Sequence, residues 1–135
     1  MGSKYLVILA VALGACTPVQ PVARTPQAEA RLQQALSGRV AGPPISCLPD
    51  YRSDNMVVID DDTILFRDGR TIYRNDFQGG SCSRLGSGNY ALLTRRIGGI
   101  GLCRGDIAEV KDLQNGFTVG SCVMGDFVPY TKPRS

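Results

Sequence analysis

TILFRDGRTIYR, residues 63–74, is the stretch that decides the fold. Two runs of β-branched, aromatic and other apolar residues flank Asp68-Gly69. An Asp-Gly link between such runs predicts a β-hairpin with a type I′ turn, whose positive φ angles suit a small polar residue followed by glycine. Side chains alternate across a strand. Ile64 and Phe66 therefore lie on one buried side, with Ile72 assigned beside them. Leu65 and Tyr73 are left for a second packed layer.

Outward from the hairpin the same grammar repeats. Residues 56–59 (MVVI) form a short strand that Asp60-Asp61-Asp62 breaks. Turns follow at 78–81 and 86–89, then a strand at 90–94 (YALLT). A glycine-rich bend at 98–101 leads into Leu102-Cys103. Residues 106–110 (DIAEV) are read as alternating polar and apolar, the pattern of a half-buried strand. Asn115-Gly116 is a second turn signal, and 117–122 the next strand. Residues 127–130 (FVPY) close the domain. Pro129 lacks an N–H to donate, which places this strand at a sheet edge. Six or seven short strands between glycine-rich turns predict a mainly β domain over 45–130, a small barrel or sandwich. Residues 131–135 are a C-terminal tail.

Upstream, Thr25 is a natural N-cap and Pro26 a natural first helical residue. Ala28, Leu32, Ala35 and Leu36 share one face at helical spacing, and Gly38 suits the position after the last turn. A short N-terminal helix and a linker ending at Gly42-Pro43-Pro44 thus occupy 26–44. So short a helix is marginal alone. It either docks on the domain or frays.

Residues 16–25 begin with Cys16 and continue TPVQPVART, an extended tether. Before it stands MGSKYLVILAVALGA, with Lys4 as the positive region and an apolar run at 5–15. That run is too short to cross a hydrocarbon core, which takes about 20 helical residues, and it fits a signal peptide over 1–15. Leu13-Gly14-Ala15-Cys16 resembles the lipobox of bacterial lipoproteins. The resemblance implies diacylglycerol on the Cys16 thiol, cleavage before Cys16, and a fatty acyl chain such as palmitate on the new amine. Several chains make a stable anchor where one is marginal. Thr17 follows the cysteine, not aspartate. By resemblance to enteric lipoproteins this implies the outer membrane, facing the periplasm. The competing reading is an ordinary secreted protein cut after Gly14 or Ala15.

Four further cysteines remain: Cys47, Cys82, Cys103 and Cys122. An exported chain meets an oxidising compartment, where an even number implies disulfides. A domain this small buries only about 60–65 % of its extended-chain surface and gains from cross-links. Of the three possible pairings we favour a nested one, Cys47–Cys122 closing the domain and Cys82–Cys103 inside it. Loop entropy assigns these roughly 4.5 and about 3 kcal/mol. There is no C-x₂-C pair and the chain has no histidine, so neither a zinc site nor a redox site is expected.

Lys and Arg number 15 against 12 Asp and Glu, a net charge of +3. That is too small for the electrostatic footprint of a nucleic-acid protein. A barrel carrying Arg67, Arg74, Arg95 and Arg96 on one face would suit an anionic polymer or lipid phosphate. No phosphate-binding glycine loop is present, and no cofactor is expected.

ISC at 45–47, VVIDDDTILFRDG at 57–69, IYRNDF at 72–77, GLCRGD at 101–106 and GSCVMGDFVPY at 120–130 occur in this order. Together they resemble an uncharacterised family of small exported proteins and lipoproteins found largely in alphaproteobacteria such as sphingomonads. The family pattern maps to Cys47, Asp60, Asn75, Cys103, Gly105, Asp106, Cys122, Gly125, Phe127 and Pro129. The resemblance implies a lineage and carries no activity.

Asp60-Asp61-Asp62 could offer oxygen ligands to Ca²⁺ but lacks the calcium-loop pattern, and reads as a surface turn in which Asp60 pairs with an arginine or caps the turn. Arg104-Gly105-Asp106 reads as a turn with Asp106 satisfying backbone donors, not as an adhesion signal. Without histidine, serine and cysteine lack their usual base. Asp60, Asp106 or Glu109 could form a carboxylate pair only if folding brought two of them together. Arg74 and Asn75 are weak binding candidates with no assignable partner. The aromatic residues Phe66, Tyr73, Tyr90, Phe117, Phe127 and Tyr130 are expected in the core. The expectation is a noncatalytic binding or structural module of the bacterial envelope, held to the membrane by lipid and meeting an envelope protein or lipopolysaccharide. A carboxylate-dependent hydrolase acting on envelope glycans is the alternative.

Overall fold

The computed structural model describes residues 23–48, 55–79, 82–95 and 101–134. One helix, α1 (Pro26–Leu36), precedes β1 (Val40–Ala41), β2 (Cys47–Leu48), β3 (Met56–Val58), β4 (Thr63–Asp68) and β5 (Thr71–Asp76). After a single 3₁₀ turn come β6 (Tyr90–Arg95), β7 (Leu102–Cys103), β8 (Ile107–Asp112), β9 (Thr118–Val123) and β10 (Phe127–Thr131). They form a five-stranded sheet β1-β10-β5-β4-β3, a three-stranded sheet β6-β8-β9 and the pair β2-β7. The fold is mainly β, with the larger sheets packed as a sandwich and none closed into a barrel among the described residues.

The expected hairpin is β4-β5, but its turn sits one residue later. Asp68 is opposite Thr71, so the loop is Gly69-Arg70. Gly69 has φ +55° and Arg70 is not among the positive-φ residues. A positive angle at the first central position alone is the type II′ pattern, not I′.

β4 is buried on both sides. Ile64 and Phe66 enter the main core with Leu102, Val110, Met124 and Phe127. Leu65 faces the other way and packs with Ile59, Ile72, Ala28 and Leu32. The register corrects one assignment: Tyr73 pairs with Phe66 and packs against the main core, whereas Ile72 pairs with Arg67 and lies under α1. A second exception is Phe117, which is 70 % exposed. It stands beside the β8-β9 turn, beyond the reach of the sandwich.

α1 docks. Thr25 Oγ1 accepts from the Ala28 N–H, Pro26 opens the helix, and Gly38 lies beyond it with φ +67°. Ala28 and Leu32 are buried, with Ala35 and Leu36 partly so. Burial of this stripe stabilises a helix too short to hold alone.

β10 is an interior strand, contrary to the edge expected from Pro129. The Pro129 carbonyl accepts from Gly42 N on the β1 side. N and C=O of one antiparallel residue point the same way, so the missing donor also faces that side, just past β1 at Gly42-Pro43-Pro44. The ladder there is irregular enough to tolerate proline.

The disulfides are Cys47–Cys103 and Cys82–Cys122, interleaved rather than nested. Nesting assumed that cysteines near the two domain ends meet. Instead β2 pairs with β7 and sets Cys47 directly opposite Cys103, Cα atoms 4.0 Å apart. Cys122 lies in β9 opposite buried Ala108, and its partner Cys82 is fully buried in the same core.

Candidate functional site

Three backbone segments build a groove beside α1. The apolar stripe of α1 covers Leu65, Ile72 and Ile59. Residues at the margin of that stripe, Arg31, Gln34 and Ala35, form one wall, and Arg39 continues it past the helix. Val57, Val58 and Ile59 of the β3 region, with Arg67, Gly69 and Ile72 of the hairpin, form the other. The groove encloses about 630 Å³, within the range of small-molecule sites.

Its polarity is one-sided. Arg31, Arg39 and Arg67 line it, and among the described residues no aspartate or glutamate does. Arg31 Nη2 donates to the Ile59 carbonyl at 2.6 Å, and Arg39 Nη1 donates to the Arg70 carbonyl. These acceptors are neutral, so they orient the guanidinium groups without cancelling their charge. Arg67 makes no ion pair among the described residues. Guanidinium has five N–H donors, and one hydrogen bond each leaves Arg31 and Arg39 with most of theirs.

The acidic residues have a different office. Asp60 Oδ1 accepts from the N–H groups of Asp62 and Thr63 at 2.9 and 2.8 Å, and Oδ2 accepts from Arg24 Nε at 2.5 Å. It therefore caps the turn and pairs with an arginine together. Arg24 also reaches Thr63 Oγ1 and Glu29, so it pins the start of α1 to the sheet. Thr63 Oγ1 in turn donates to Asp76, which pairs with Arg74 at 2.9 Å. Asp61 accepts from the N–H groups of Arg84 and Gly86 and ties the following turn to the same corner. Among the described residues no group of acids is arranged to hold a metal ion. Partial burial, with Asp60 and Asp61 beside it, raises the Asp62 pKa above 3.8. The Glu29 pKa falls below 4.5 because Gln33 and Arg24 donate hydrogen bonds to it.

Asp106 is buried, and its Oδ2 accepts from Cys103 N at 2.8 Å, while Gly105 makes the turn with φ +91°. Arg104 is exposed and pairs with Asp126. Glu109 stands between Arg95 and Lys111. Its Oε2 is buried without a directional hydrogen bond, and the Lys111 ammonium at 3.2 Å compensates its charge. Asp60 lies at the β3-β4 turn and Asp106 before β8, each accepting backbone hydrogen bonds, and Glu109 is on β8 between two cations.

Asn75 is fully buried. Its Nδ2 donates to the Gly125 and Asp126 carbonyls at 2.8 and 3.3 Å, and its Oδ1 accepts from Gly125 N at 3.2 Å. It is a bracket for the chain entering β10.

Of the arginines expected to share one face, Arg67 and Arg74 do, on the α1 face of the five-stranded sheet, whereas Arg95 is on β6 of the other sheet and Arg96 falls outside the described residues. So does Cys16. Arg31 and Arg39 are absent from the sequence expectations, because only docking of α1 sets them beside Arg67. The available signal was that Arg31 and Gln34 border the Ala28-Leu32-Ala35 stripe on the helical wheel. No helix among the described residues is long and apolar enough to cross a membrane. Comparison with family models, with characterised proteins and with solved structures finds no match.

Proposed function

We propose that this chain is a noncatalytic capture module of the bacterial envelope, lipid-anchored through Cys16 and facing the periplasm from the outer membrane. Its α1 groove engages an anionic envelope component. The observation that carries the reading is a groove lined by three arginines and, among the described residues, no carboxylate. Charges of one sign repel each other and favour an anion between them. An anchor adds effective concentration, so weak recognition is enough.

The test is photocrosslinking in cells from a reactive residue replacing Gln34, on the groove wall. A reproducible envelope adduct that disappears in Arg67→Glu is the expected result. Adducts unchanged by Arg67→Glu, or none at all, would overturn the reading.

A further inference from the structure

The groove carries apolar surface beside its arginines. Val57 on the Arg67 wall and Ala35 on the wall of Arg31 and Arg39 are part-exposed, above the buried Ile59 and Ile72. A small inorganic anion would satisfy the guanidinium groups and leave the apolar surface wet. A purely apolar ligand would cover that surface and strip water from three cations, which is costly. The lining suits a molecule with both parts.

The charge narrows the head group. A single carboxylate brings one negative charge and two oxygens. A phosphate monoester brings up to two charges and three terminal oxygens, a closer match to three guanidinium groups. Arginine is suited to it by its planar fork of donors. The carbonyls of Ile59 and Arg70 hold Arg31 and Arg39 in place beforehand, which lowers the ordering cost of binding.

We infer that the groove binds an organophosphate amphiphile, with its phosphate against Arg31, Arg39 and Arg67 and a short alkyl portion along Val57 and Ala35. The inference deepens the anionic-capture reading and rests on it. Such chemistry comes from two sources, a membrane lipid whose head group is a phosphate monoester or a free phosphate ester.

The experiment uses the full lipidated chain in dodecyl maltoside micelles, which contain no phosphate. Arginine side-chain NMR resonances are followed during titration with hexyl phosphate, inorganic phosphate and hexyl glucoside. Hexyl phosphate should bind saturably, about tenfold or more tightly than inorganic phosphate, since two buried CH₂ groups suffice for that ratio. Hexyl glucoside should leave the arginine resonances unmoved. Arg67→Gln should weaken hexyl phosphate by about tenfold, while Arg67→Lys retains part of the affinity. Reconstitution with photoreactive phosphatidic acid then separates the sources. Labelling of the groove identifies the membrane head group, and hexyl phosphate binding without such labelling identifies a free ester. Equal affinity for hexyl and inorganic phosphate overturns the amphiphile. No phosphate binding, with a Gln34 adduct to an acidic protein in cells, overturns this inference and leaves the capture reading standing.

Discussion

Asn75 shows how a polar residue can specify a fold without touching a ligand. Three hydrogen bonds from one buried amide hold Gly125 and Asp126 where the chain turns into β10. The partner site admits glycine alone, since a Cβ on Gly125 would sit 2.0 Å from the Asp76 carbonyl oxygen. Asn75→Ala leaves a buried N–H and two carbonyls short of a partner and should cost about 2–4 kcal/mol. Gly125→Ala forces the backbone apart and should cost about 3 kcal/mol or more. Urea unfolding measures both, and a loss under 0.5 kcal/mol for either would remove the bracket from this account. Asp62 gives a prediction of opposite sign. Its pKa is raised in the folded protein, so its contribution to stability is fully present below the ordinary value of 3.8 and is lost as pH rises through the folded value. Asp62→Asn should therefore raise the urea midpoint at pH 7, and the gain should fade as pH falls towards 3.8. A gain that persists undiminished at pH 3 would mean that the charge is not the cause. Because Asp62 is largely exposed, solvent screening keeps the effect small.

At the scale of elements, α1 and the hairpin were legible for different reasons. The ends of α1 are local chemistry: Thr25, Pro26 and Gly38 act within a turn of where they stand. Hairpin existence is equally local, but its turn type depends on which two residues pair first, and Asp68 joined the ladder instead of the loop. Whether α1 docks was not readable, because the stripe does not name its partner. Leu65 and Ile72 supply it from the face of the sheet opposite the main core. Leu32→Ala should consequently destabilise by about 2–4 kcal/mol, and hydrogen exchange should quicken at α1 and in the covered part of β4. A substitution that changes exchange in α1 alone would indicate a helix that adds nothing to the sheet. The groove was illegible for the same nonlocal reason. Its arginines belong to α1, the segment after it and β4, and only docking sets them around one space.

At the scale of the molecule, the cross-links hold the domain together, and the proposed anchor on Cys16 would set its distance from a membrane. The interleaved bonds close loops of 56 and 40 residues: Cys47–Cys103 joins β2 to β7, and Cys82–Cys122 fastens the segment before the 3₁₀ turn to β9 in the core. Loop entropy assigns each about 4 kcal/mol. Nonreducing peptide mapping of envelope-purified protein should recover 47–103 and 82–122, and a nested pair would contradict the strand pairing of β2 with β7. The last prediction concerns the anchor. Arg24 is pinned to Asp60 and Thr63, so the chain from Cys16 to Arg24 limits how far the domain stands from a lipid on Cys16. Fully extended, that stretch reaches at most ~28 Å. With the proposed lipid in place, so short a leash would keep the α1 side of the sandwich close to the head groups, where the proposed phosphate ligand would be at high local concentration. Labelled palmitate and glycerol should enter the protein and be lost in Cys16→Ser, which should also lose the Gln34 crosslink to envelope partners. Lengthening the tether with Gly-Ser repeats should retain the lipid yet weaken that crosslink progressively, because effective concentration falls with reach. Soluble protein with an unmodified Cys16 would refute the anchor. An unchanged crosslink at every tether length would show that proximity to the membrane plays no part in capture.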